Sequence, residues 1–256
     1  MEIRELIGKL CEKYPLNLQE EWDNSGLQIG NTNRELKNIL ISLDLEDKGI
    51  DLAIEKNCNL IITHHPYLFN GTKSIDFSDP FYNRLEKIIK NDITVFAMHT
   101  NLDIAEDGLN DNLCKILGIE NTKVLECAKE IGLGRVGYIE PIKAEVFAKK
   151  VKGNLNANGL VCYGNMGKEI KKVGVCGGAG SSLFDDALRK DCDLMITGDV
   201  SYHMGMDYAN RGLTIIDPGH FASENHVIYK IEKLVSKMTD VEINTYSKED
   251  TFRTFI

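Results

Sequence analysis

A chain of 256 residues, 43% hydrophobic and 27% charged, has the make-up of an ordinary globular protein, with length for one large domain or two closely joined ones. Its net charge of −9 argues against wholesale binding of a phosphate backbone, so nucleic acid is a disfavoured partner, and no apolar run approaches the length of a membrane span. Seven scattered cysteines, an odd number with no CxxC pair, fit reduced thiols in a cytoplasmic protein better than a secreted disulfide framework.

In chain order, Ile3, Leu6, Ile7, Leu10 and Cys11 recur at helical spacing, which predicts an amphipathic helix rather than a signal peptide. Leu36 to Asp44 reads as a strand, followed by a helical segment. Asn59-Leu60-Ile61-Ile62-Thr63-His64-His65-Pro66 then reads as a buried strand closed by two imidazoles and a proline. Strand ends are where an open α/β sheet delivers functional groups. Neighbouring side chains on an extended segment diverge, so His64 and His65 are poorly placed to chelate one ion and well placed to give a ligand to each of two. A third strand, Ile93 to Met98, runs into His99-Thr100-Asn101-Leu102-Asp103.

Residues 120–168 read as a strand (Glu130 to Tyr138), a helix with Pro141 in its first turn, and a strand (Leu160 to Tyr163). Arg135 stands in the glycine-rich first strand, where an ion pair and a substrate phosphate contact are both open.

The second half repeats the first. Ile170 to Gly178 and Lys190 to Gly198 match Leu36 to Asp44 and Lys56 to His64, with Cys58 and Cys192 at the same packing position. Gly177 to Ser182 lies between strand and helix, as a tight turn or as a phosphate contact through Gly178; it lacks the lysine of a P-loop. The next strand, Leu213 to Ile216, leads into His220, roughly equivalent to Asp103. Ser223 is placed as the N-cap of a helix with Val227, Ile228, Ile231 and Leu234 on its apolar face, and Glu224 in the first turn. The expected fold is therefore two similar α/β lobes related by internal duplication, facing a shared dinuclear metal cleft. Residues 1–119 form the first lobe, 120–168 a connecting segment and 169–256 the second lobe, all one compact unit.

His64, His65, Asp103, His220 and Glu224 combine three imidazoles with two carboxylates, a mixture that suits Zn²⁺, Fe²⁺, Mn²⁺ or Co²⁺. Hydrolysis assisted by two metals is the chemistry such a set implies. His99 and His203 are candidate proton carriers.

Glu21-Trp22-Asp23-Asn24-Ser25-Gly26-Leu27-Gln28, Thr63-His64-His65-Pro66, His99-Thr100-Asn101-Leu102-Asp103, Thr197-Gly198-Asp199 with His203, and Gly219-His220 through Ser223-Glu224 stand in the order of the NIF-three-like family. The chain resembles that family over essentially its whole length. The resemblance implies that His64, His65, Asp103, His220 and Glu224 hold two divalent metal ions per subunit, in a toroidal homohexamer. The 49 residues of 120–168 are too few for the domain some relatives insert there, so the compact form is implied. Trp22 and Asp23 become cleft-lining residues, with Trp22 as a platform for a ring. Relatives commonly carry Glu where Asp199 stands, and the shorter carboxylate is expected to weaken a supporting contact. Members are often named GTP cyclohydrolase I type 2 homologues, which implies a hydrolase opening the purine ring of a nucleotide with release of formate. A metal-dependent binding or regulatory assembly, a metal-handling protein and a phosphoesterase are the competing readings.

Overall fold

The computed structural model describes residues 1–247, and the chain divides into two compact units. Among the described residues, the first comprises Met1–Leu102 and 227–247; the second is Asp103–His226.

The first unit is built on a five-stranded sheet. Its strands are β1 (Gly26–Ile29), β2 (Asn38–Ser42), β3 (Cys58–Thr63), β4 (Thr94–Ala97) and the strand Ile243–Tyr246, in the order β1-β4-β3-β2 and then Ile243–Tyr246. β2, β3 and β4 run parallel, β1 joins β4 antiparallel, and Ile243–Tyr246 joins β2 in parallel. All six residues of β3 are buried, as expected of a central parallel strand covered on both faces. Leu40, Ile61 and Val95 pack with Ile50, Leu85 and Ile88 of the helices Asp47–Glu55 and Pro80–Lys90.

The second unit carries β5 (Glu120–Val124), β6 (Arg135–Lys143), β7 (Val161–Tyr163), β8 (Glu169–Val175), β9 (Leu194–Ile196) and β10 (Thr214–Asp217), in the order β5-β6-β8-β9-β10-β7. Alternation along its strands feeds two cores. Leu194, Ile196 and Ile216 pack with Leu113 and Phe147 in one cluster, while Met195 and Ile215 pack with Phe184 and Ala187 in another.

The duplication is present and longer than expected. β8, β9 and β10 are parallel neighbours like β2, β3 and β4, and β7 joins β10 antiparallel as β1 joins β4. The corner after each antiparallel strand is the same Gly-Asn pair. Gly30 has φ +109°, and a Cβ there would lie 2.6 Å from Thr94 Cα; Gly164 has φ +88°, with a Cβ 3.0 Å from Leu213 O. The threonine opening the partner strand donates to the asparagine carbonyl in both halves, Thr94 to Asn31 and Thr214 to Asn165.

Three expectations need correcting. Residues 120–168 are not a connector, because β5, β6 and β7 are members of the second sheet, and residues 227–247 belong to the first unit. Residues 248–256 of the expected second lobe lie outside the described residues. Pro141 does not open a helix: it lies inside β6, where the β6–β8 register shifts between Tyr138 and Ile142 and the ladder tolerates a missing N–H. The helix starts at Ala144. Ser223 is not an N-cap either, because it sits within the short helix His220–Glu224, ahead of Val227–Val235.

Candidate metal centre

In the first unit the turn after β2 and the end of β3 are tied together. The amides of His64 and His65 both donate to Leu43 O, at 3.2 and 3.0 Å, and Thr63 Oγ1 donates to His65 O at 2.8 Å. These bonds bend the chain just past β3, so the two imidazoles do not diverge as on an extended strand. Their ring centroids are 5.0 Å apart, and His99 completes the group at 5.3 Å from His64 and 5.5 Å from His65. The three offer nitrogen atoms within 4.8 Å of one another.

Each ring is oriented through Nδ1. His64 Nδ1 lies 2.7 Å from Met98 O, His65 Nδ1 2.7 Å from Asp44 Oδ1, and His99 Nδ1 2.7 Å from Asp23 Oδ1. Ser42 Oγ donates to Asp44 O at 2.8 Å and so shapes the turn that presents Asp44. Asp23 has a fully covered side chain. Burial alone raises its pKa, but hydrogen bonds from His99 and Thr100, the positive field of His99 and a bond from Ser25 outweigh it and hold the carboxyl well below the usual range.

The second unit repeats the device with different residues. His220 Nδ1 lies 2.7 Å from Asp199 Oδ2, and its Nε2 2.9 Å from Glu224 Oε2. Asp199 adopts φ 55°, a left-handed conformation that Asp tolerates, and the expected weakening from its short side chain is not seen: it reaches the ring at full hydrogen-bond distance. Asp217 holds both loops, accepting from Val200 N at 2.9 Å and Gly219 N at 2.7 Å. Gly198 leaves no room for a side chain, since a Cβ would lie 2.6 Å from His220 N.

Glu224 is 3% exposed and lies against the Gly177-Gly178 turn. A Cβ on Gly178, whose φ is +64°, would fall 2.3 Å from Glu224 Oε1. The turn's amides are engaged: Gly177 N donates to Asn110 Oδ1, Gly178 N to Ser223 Oγ and Gly180 N to Thr197 Oγ1. The turn thus walls the carboxylate, and these amides are not presented to a phosphate. Asn110, fully buried, also donates to the backbone carbonyl of Asp103, itself 7% exposed.

Two sequence candidates stand elsewhere. Arg135 donates through Nε and Nη2 to Asp111 at 2.8 and 3.1 Å, and through Nη1 and Nη2 to the carbonyls of Gly132, Gly134, Ile104 and Ala105. Every N–H of the guanidinium has an acceptor, so the phosphate contact gives way to the ion pair. His203 is exposed in the first turn of the helix Tyr202–Asn210, its ring edge-on to Tyr202 at 5.4 Å. Asp44, Asn110 and Asp217 escaped the sequence reading, although Asp44 holds the same repeat position as Gly178.

Imidazoles whose Nδ1 is held by a carboxylate or carbonyl are the arrangement found around protein-bound metals. The class so defined is an α/β protein with an internal repeat and histidine–carboxylate clusters suited to divalent ions. The chain belongs to the Duf34/NIF3 (NGG1p interacting factor 3) family, whose model matches residues 1–251. It is 36% identical to a GTP cyclohydrolase 1 type 2 homolog of Clostridium acetobutylicum, over 96% of this chain and 94% of that protein. A Streptococcus pneumoniae protein of the same name is 39% identical over 87% of this chain and 86% of its own. Among solved structures, a Bacillus cereus protein related to NIF3 superposes with a TM-score of 0.92 at 26% identity, covering 100% of this chain and 99% of that one. Reduced HcgD from Methanocaldococcus jannaschii gives 0.83 at 29% identity, covering 96% and 97%.

Proposed function

We propose that this protein is a metal-dependent hydrolase acting on a purine nucleotide, with His64, His65, Asp103, His220 and Glu224 as the ligands of two divalent ions. The observation that carries the reading is the uniform anchoring of four imidazoles through Nδ1, three of them by carboxylates. The donor set of neutral nitrogen and carboxylate oxygen fits Zn²⁺, Fe²⁺, Mn²⁺ or Co²⁺. When bound, such ions supply an activated water and a Lewis acid. The chain's own residues do the rest. Asp44 and Asp199 keep His65 and His220 in the tautomer that presents Nε2. Asp23 does the same for His99, which is thereby positioned to take up or return a proton at Nε2. The name of the relatives favours a guanine nucleotide as the substrate, opened at its imidazole ring with release of formate. A cytoplasmic toroidal hexamer belongs to the same proposal.

The test is metal analysis of the purified protein, followed by incubation of the metal-loaded form with GTP and assay of formate. The expected result is bound metal and formate in amounts exceeding the protein, both lost in Glu224→Ala. Bound metal without formate, but with release of phosphate from nucleotide, would move the reading to a phosphoesterase. Bound metal with neither product would leave a metal-dependent binding or regulatory assembly. Sedimentation checks the hexamer.

A further inference from the structure

The motif around Trp22 does more than hold His99. Trp22, the chain's single tryptophan, is 57% exposed, and Phe69 beside it is 46% exposed, with ring centroids 6.0 Å apart at 61°. Both are edge-on to His99, at 6.0 Å and 75° for Trp22 and at 6.4 Å and 80° for Phe69. The residues that follow Trp22 fix the arrangement one after another. Asp23 takes His99 Nδ1 and the Thr100 hydroxyl, at 2.7 and 2.5 Å. Asn24 Nδ2 donates to Leu68 O at 2.6 Å, and Gln28 Oε1 accepts from Leu68 N at 3.1 Å while its Nε2 donates to Asn24 O at 2.7 Å. The loop carrying Phe69 is therefore clamped to the loop carrying Trp22, and both to His99.

Pre-ordered aromatic surface lowers the entropic cost of stacking a flat ligand, and its place against an imidazole cluster selects a ligand with polar edge atoms. We propose that Trp22 forms the stacking face for a planar heteroaromatic ring of the substrate, with Phe69 flanking it at an angle, and that the edge of that ring faces His99. The inference rests on the reading of the neighbouring histidines as a reaction site; the ring binding itself is independent of metal.

The fluorescence of Trp22 reports directly. Protein stripped of metal with a chelator is titrated with guanosine, adenosine and uridine, and with ribose 5-phosphate as the ring-free control. Saturable quenching by at least one nucleoside, and none by the sugar phosphate, is expected. Phe69→Ala should weaken that binding about five- to hundredfold. Trp22→Ala should do the same by calorimetry, Trp22→Phe should recover most of it, and metal content should stay unchanged in all three. No saturable response to any nucleoside, or an equal response to ribose 5-phosphate, overturns the platform. So does a change of sedimentation coefficient in the variants, because the pair is then a contact between copies of the chain. A failure to produce formate leaves this result untouched, and a failure of ring binding leaves the metal analysis untouched.

Discussion

Asp44, Asp23 and Asp199 each place a carboxylate 2.7 Å from the Nδ1 of a different histidine, and this fixes which nitrogen remains for chemistry. Removing such a support leaves the ligand present but loosely aimed. Asp44→Ala and Asp199→Ala should therefore weaken metal retention about ten- to hundredfold in competition with a chromogenic chelator, with little change in melting temperature of the stripped protein. Gly178→Ala differs, because the new methyl meets Glu224 and the backbone sits at positive φ. That variant should lose metal retention and about 1–3 kcal/mol of stability by urea titration. Arg135→Ala removes one partner of a buried ion pair and leaves four further backbone carbonyls without its N–H groups. It should cost about 3–5 kcal/mol in the same titration while leaving nucleoside binding to the remaining folded protein unchanged.

At the level of elements, the two halves share a frame and differ in what its corners carry. The antiparallel strand, the Gly-Asn corner and the three parallel strands recur, down to the threonine that closes each corner. The strand ends carry different residues: His64-His65 in one half stand where Gly198-Asp199 stand in the other, and Asp44 where Gly178 stands. In the first half that position grips a histidine, while in the second its emptiness admits Glu224. The shared corner is testable. Gly30→Ala drives a Cβ to 2.6 Å from main chain at Thr94, closer than the 3.0 Å that Gly164→Ala meets at Leu213 O. Both should be destabilised in thermal melts, Gly30→Ala the more.

For the whole molecule, a ligand that binds only the folded chain raises its melting temperature. Metal at about a hundred times its dissociation constant should add about 2.7 kcal/mol, or roughly 5–10 °C, reversed by chelator. The cysteines behave as separate thiols. Burial pushes Cys58 up to about 11, and Cys114 and Cys192 to about 12, with Cys176 also raised; Cys127 and Cys162 are raised too but are exposed. Iodoacetamide at pH 8 should label Cys127 and Cys162 in the native protein and reach the four buried thiols only on unfolding, as read by peptide mass spectrometry.

The sequence by itself determined the repeat, the buried strand ahead of His64-His65 and the residue types gathered at strand ends, because apolar runs and motif order are local properties of the chain. It also marked His64, His65, His99 and His220, each held through Nδ1. It left undecided whether Arg135 met a carboxylate or a phosphate, and it misplaced Pro141 and Ser223, whose roles depend on a register shift and on a turn 45 residues away. It passed over Asp44, Asn110 and Asp217, ordinary polar residues until the fold brings Asp44 to His65, Asn110 to Gly177 and Asp217 to Val200. Those assignments belong to the tertiary structure, since these hydrogen-bond partners are set by which elements lie side by side and not by distance along the chain.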